Sequence, residues 1–136
     1  MGRPLEYPLR VRYAECDMQG VVFNANYLAY FDVSMTELWR AAFGSYSAMI
    51  ERGVDLVVVH ASVAFQAPAR FDDELTIGIG VAKLVTTSVL TRHTVRRGGE
   101  EVALGELRHV FVDAESLTKT AIPDWARDGL APWTLD

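Results

Sequence analysis

The stretch Tyr13-Ala14-Glu15-Cys16-Asp17-Met18-Gln19-Gly20-Val21-Val22-Phe23-Asn24-Ala25-Asn26-Tyr27 decides how the chain is read, because it ends a strand, makes a turn and opens a long helix. Asp17 precedes Gly20, a residue that accepts positive φ and close backbone approach, and Asn24 and Asn26 are good helix caps. The first unpaired N–H groups of the coming helix should therefore fall near Asp17, or near whatever Asp17 attacks.

Such groups bind a developing oxyanion. A carboxylate beside an oxyanion site supplies two of the parts an ester or thioester hydrolase needs. The same local spacing also fits a plainer role for Asp17, a turn acid that caps its own backbone. The rest of the chain has to decide between them.

Working outward, Leu5 to Tyr13 reads as a first strand, with Leu9, Val11 and Tyr13 alternating against Arg10 and Arg12. From about Asn26 to Phe43, Tyr27, Leu28, Phe31, Met35, Leu38, Trp39 and Ala42 recur at helical spacing, and Gly44 supplies a stop. Ser45 to Arg52 reads as a short second helix ending at Gly53. Four segments rich in β-branched residues follow: Val54 to Phe65, Glu74 to Leu84, Thr86 to Arg96 and Val102 to Val112. Arg97-Gly98-Gly99-Glu100 has the form of a tight hairpin loop, which makes its flanking strands antiparallel neighbours. One amphipathic helix against a mostly antiparallel sheet is an α+β layer arrangement. A helix about 27 Å long and 10 Å wide covers only part of such a sheet. A curved sheet wrapping the helix, with an exposed edge or face used for self-association, is the expected remedy.

The 136 residues suit one domain spanning 1–136, and 50% hydrophobic with 23% charged residues is ordinary for a packed globular protein. Met1-Gly2-Arg3-Pro4-Leu5-Glu6 lacks the apolar stretch of a secretory signal, and no later run approaches the roughly 20 apolar residues of a bilayer span. A cytoplasmic protein without a membrane partner is expected. The net charge of -5 argues against a general nucleic-acid binder. Cys16 is the single cysteine, which rules out an internal disulfide, and beside the Asp17 carboxylate it reads as a small buried hydrophobe rather than a nucleophile. The acids and histidines have no metal-ligand spacing, so no metal is expected.

Val11-Arg12-Tyr13 with Asp17 and Gly20, Asn26-Tyr27-Leu28-Ala29-Tyr30-Phe31, Pro68-Ala69-Arg70-Phe71-Asp72-Asp73-Glu74-Leu75, Val110-Phe111-Val112-Asp113 and Ile122-Pro123 together carry a resemblance. The chain resembles the hotdog-fold acyl-CoA thioesterases, in the branch holding 4-hydroxybenzoyl-CoA thioesterase and the YbgC-like enzymes, from about Tyr7 to Pro123. The resemblance implies a long central helix wrapped by a curved antiparallel five-stranded sheet. It implies hydrolysis of an acyl-CoA, with Asp17 as nucleophile or general base and a thioester carbonyl polarised by the backbone N–H of Asn24 or Phe23. Coenzyme A is then part of the substrate, and no other cofactor is needed. YbgC-like members often carry histidine where this chain has Asn24 and arginine where it has Met35.

Other positions enter as candidates beside plainer roles. Gly20 and Tyr27 belong to the implied substrate site. His60, mid-strand between apolar neighbours, is a core histidine or faces a second subunit's site. Ser88, more than Thr86 or Thr87, faces the acyl pocket in the implied arrangement. Arg92, Arg96, Arg97 and Lys119 are candidates to hold the phosphates of coenzyme A, and a solvated hairpin edge is their bland alternative. Glu37 is a rival catalytic acid, read here as pairing weakly with Arg40 one turn on. Trp39, Phe43 and Phe65 are core or tunnel wall. His93 and His109 receive no role. The resemblance implies a homo-oligomer, a dimer or a dimer of dimers. An acyl-carrier-protein thioester as substrate, a dehydratase, and a non-catalytic acyl-CoA-binding protein stay as alternatives.

Overall fold

The computed structural model describes residues 3–135. Strand β1 (Leu5–Arg10) runs through a 3-10 turn (Tyr13–Glu15) and a loop into α1 (Asn26–Phe43). Helix α2 (Tyr46–Glu51) follows, then β2 (Val54–Phe65), β3 (Glu74–Leu84), β4 (Ser88–Arg97), β5 (Glu100–Asp113) and α3 (Asp124–Leu130). The strands form one sheet in the order β1-β3-β4-β5-β2, every neighbouring pair antiparallel.

Helix α1 and strands β2 and β3 have the boundaries that periodicity gives them. Strand β1 ends earlier. Val11 is 1% exposed and is held by the loop opposite, donating to Asp73 O and accepting from Asp72 N–H, so the chain leaves the sheet and Tyr13 ends up 80% exposed. Strand β4 begins at Ser88, because Val85 N–H donates to Ser88 O and closes a turn over the two threonines. The short α3 was not read from the sequence. Neither asparagine caps α1: the N-cap is Ala25, without a side-chain bond, and the Asn26 amide donates instead to Glu15 O.

The apolar face of α1 lies on one face of the sheet. Phe31, Met35 and Leu38 are fully buried there against Ile77, Ile79 and Phe111. Gly105 on β5 permits the close seat, since a side-chain carbon at that position would come within 2.2 Å of the Phe31 ring. Helix α1 ends where Gly44 takes a φ of 91° and its N–H donates to Arg40 O.

Two histidines of the inner face sit under this helix. His93 is wholly buried, with Nδ1 3.3 Å from Ser34 Oγ, Nε2 2.9 Å from Thr91 Oγ1, and its ring stacked on Phe31. Burial pushes its pKa down to about 3, and His109 nearby adds to the effect. Burial likewise pushes His109 down to about 4, opposed by the Asp32 carboxylate.

Both imidazoles are neutral in the fold, whereas the unfolded chain protonates them near 6.5. Above that pH neither state gains protons; below it the unfolded state gains them first. Stability is therefore complete above about pH 6.5 and falls as the pH drops toward 4, by up to about 1.4 kcal/mol per pH unit for each histidine. Urea unfolding at pH 7, 6 and 5 checks this, and His109→Gln should flatten the slope. A midpoint unchanged across that range would contradict it.

Candidate active site

The segment from Cys16 to Val22 is a small hairpin. Asp17 N–H donates to Val21 O at 2.8 Å, Gly20 N–H donates to Asp17 O at 2.9 Å, and Cys16 pairs with Val22. Gly20 has a φ of 79°, a left-handed conformation that favours glycine. Asp17 is half-buried. Its Oδ1 accepts Gln19 N–H at 2.8 Å, while Oδ2 has no hydrogen-bond partner among the described residues. The turn-capping role and a carboxylate oxygen free for chemistry thus coexist in one side chain.

The hairpin is fastened on both sides. Val22 N–H donates to Ala69 O at 2.8 Å, and Phe23 N–H donates to Glu15 O at 2.9 Å. The second bond corrects the expectation for Phe23, whose N–H is already used in holding the loop. The next donor along is different: Asn24 N–H has no acceptor among the described residues. It stands just before α1, where the helix dipole adds positive potential. A groove of about 300 Å³ opens there between Val21, Asn24, Tyr27, Phe65 and Gln66. Tyr27 is buried and meets the half-exposed Phe65 edge to face.

The remaining candidates are dispersed. His60 is exposed rather than core, because a register shift after Val58 puts it opposite Arg108 on the sheet face away from α1. Ser88 lies on that same outer face, accepting from Arg108 Nη1 at 3.1 Å, so it does not face the helix side. Arg92 pairs with Glu106, and with Arg96 it lines an outer-face cavity that also contains Glu6. Arg97 is occupied by Asp73, Glu100 and Pro68 O, and Lys119 is exposed beyond β5, so the four cations form no single cluster. Glu37 is paired with Arg40. Cys16 is half-buried against the core, Trp39 and Phe43 stack on one another, and Phe65 lines the groove.

Two features were missed from the sequence. Glu15, two residues before Asp17, accepts from Tyr30 O–H at 3.0 Å and from Arg12; only its place in the Asn26–Phe31 motif could have marked Tyr30. The other is a cavity of about 340 Å³ beside β2, lined by Asp32, Thr36, Trp39, Tyr46, Val58 and His109. The Nδ1 of His109 is buried there without a hydrogen-bond partner among the described residues. No signal in the sequence joins β5 to the middle of α1 at that point.

A family model of the thioesterase-like superfamily matches residues 11–130, and the chain belongs to that superfamily. The acyl-CoA thioester hydrolase YbgC of Escherichia coli O6:H1 is 33% identical over 118 residues, covering 86% of this chain and 88% of the relative. The putative acyl-CoA thioesterase YneP of Bacillus subtilis (strain 168) is 30% identical over 122 residues, covering 86% and 88%. A crystal structure of a hypothetical protein from Aquifex aeolicus superposes with a TM-score of 0.88 at 26% identity, covering 93% of this chain and 99% of that one. The architecture is the α+β hotdog fold that the resemblance implied.

Because Arg97 ties the β4–β5 hairpin to the loop holding Asp73, Arg97→Gln should lower the melting temperature by a few degrees, as expected for about 1 kcal/mol. Its KM for an acyl-CoA should stay within about twofold of wild type, because a guanidinium already so engaged has little left for phosphate. A large rise in KM with an unchanged melting temperature would restore the phosphate-binding role.

Proposed function

We propose that this chain is an acyl-CoA thioester hydrolase in which Asp17 and the Asn24 N–H act on the same carbonyl. The observation that carries this is the hairpin itself: a carboxylate with a free oxygen stands two residues beyond Glu15, and a helix-start N–H with no acceptor among the described residues directly follows Phe23, the two flanking the rung that joins Glu15 to Phe23. Membership of the thioesterase-like superfamily and the acyl-CoA names of relatives at 33% and 30% identity support the substrate.

The chemistry needs only these groups and water. As the carbonyl carbon becomes tetrahedral, negative charge gathers on its oxygen and Asn24 N–H stabilises it. Asp17 either bonds to that carbon directly, giving a mixed anhydride that water then opens, or takes a proton from water so that hydroxide adds. In both courses the C–S bond breaks, the sulfur leaves as thiolate and is protonated, and the products are a carboxylic acid and coenzyme A.

The reading includes a second copy of the chain. One side of β2 pairs with β5, and along the strand Val57, Val58 and Val59 are 44%, 49% and 55% exposed. An unpaired apolar strand edge is a template for pairing. Antiparallel pairing of β2 with its copy would place the Val54 end of one strand beside the Phe65 end of the other. Phe65 lines the groove at Asn24, so such pairing would bring a second copy up to that groove. A carrier-protein thioester has no comparable support.

Thiol release from a panel of aryl and aliphatic acyl-CoAs tests the reading. Asp17→Asn should lower kcat by at least about 100-fold in a folded protein, while Asn24→Ala, which keeps the backbone donor, should stay within about threefold. Full activity in Asp17→Asn would exclude that carboxylate, and an inert wild type across the panel would favour a binding protein. Separately, replacing Val58 and Val59 together by lysine should give a monomer in sedimentation and remove activity. An active monomer would contradict the shared site.

A further inference from the structure

Glu15 is joined to α1 through both its side chain and its main chain. Its carboxylate, mostly buried, accepts Tyr30 O–H at 3.0 Å and the Arg12 backbone N–H at 2.8 Å on Oε1, and the Arg12 guanidinium on Oε2. Its carbonyl oxygen accepts Phe23 N–H at 2.9 Å and Asn26 Nδ2 at 2.8 Å. Tyr30 is 2% exposed and belongs to the second turn of α1, so the hydroxyl reaching Glu15 comes from the rigid body of the helix. Burial and the adjoining carboxylate keep that hydroxyl protonated, as a donor to Glu15 must be.

These bonds meet between the two groups of the proposed reaction. Asp17 is two residues beyond Glu15 on one arm of the hairpin, and Asn24 directly follows Phe23 on the other. The bond from the exposed Arg12 guanidinium, only three residues away, contributes little by itself. A buried hydroxyl from a different element fixes position instead, and a reacting group misplaced by about 1 Å can cost about 100-fold in rate.

We infer that Glu15, gripped by Tyr30 and Asn26, is a positioning residue that sets the distance between the Asp17 carboxylate and the Asn24 N–H. The inference rests on the reading of Asp17 and Asn24 given above. Glu15 touches no substrate. It acts through the turn, and its loss changes the reaction step rather than binding.

The test uses the full chain and the best substrate of the acyl-CoA panel, with Tyr30→Phe, Glu15→Gln, Glu15→Ala and Asp17→Asn compared by kcat, KM, circular dichroism and sedimentation. Tyr30→Phe removes one hydroxyl and nothing else. It should lower kcat about tenfold with KM within about twofold. Glu15→Ala should lose more, and adding Tyr30→Phe to it should cost nothing further, since both remove the same bond. Glu15→Gln keeps an oxygen acceptor for Tyr30 O–H and Arg12 N–H and should restore kcat to near wild type. Should Glu15→Ala fail to fold, Tyr30→Phe still decides the matter. Melting temperatures that fall while kcat of the folded variants holds would make the network purely structural and overturn the inference, provided Asp17→Asn is inactive. An active Asp17→Asn, or an inert wild type, overturns the reading and the positioning role together.

Discussion

One carbonyl oxygen fixes the geometry of the proposed site. Glu15 O accepts Phe23 N–H and the Asn26 side chain, and so locks the end of the first turn to the start of the long helix. Everything proposed for the site follows from that rung: the hairpin carrying Asp17 projects from one side of it, and the first free helix-start donor, Asn24 N–H, follows on the other. One bond of the constraint is backbone to backbone and the other comes from the Asn26 side chain, and it needs Gly20 to turn the chain back within reach.

The rung is anchored on a tightly packed helix. Phe31 settles into the space left by Gly105, and His93 bridges Ser34 and Thr91 beneath the helix. A polar thread in an apolar layer costs little when every member is satisfied, and it fixes which rotation of the helix is allowed. His109 is the exception. Its buried Nδ1 lacks a partner among the described residues at a cavity beside the edge strand, and a buried polar atom left unpaired is costly. It lies beside β2, whose outer edge has no strand partner among the described residues.

The layer architecture was legible because local signals agreed with it. Helical spacing from Tyr27 to Ala42 and β-branched runs at Val54, Glu74 and Val102 each pointed to the element that forms. What failed did so for tertiary reasons. Tyr13 alternates correctly for a strand, yet the Asp72–Asp73 loop captures Val11 and turns the chain away. Asn26 is a good cap by type, but its amide is drawn to Glu15. His60 sits in an apolar run, and one register shift moves it to the outer face. At the site, Asp17 and Gly20 were visible as a spacing. The partners of Glu15 were not, because Tyr30 and Arg12 meet it only through folding, and Phe23 lost its donor to a bond between segments eight residues apart in sequence. In the sequence Arg92, Arg96, Arg97 and Lys119 are visible only as charges, which carry no information about the acids that hold Arg92 and Arg97 in the fold.

The central claim is that the helix start and the hairpin surround one thioester carbonyl. The most direct measurement is the infrared carbonyl stretch of benzoyl-CoA bound at saturation to Asp17→Asn, compared with the same variant carrying Asn24→Pro, which deletes the backbone donor. A polarised carbonyl predicts a band shifted to lower frequency in the first protein and returned toward the solution value in the second. A band at the solution frequency in both, with benzoyl-CoA demonstrably bound, would contradict the account.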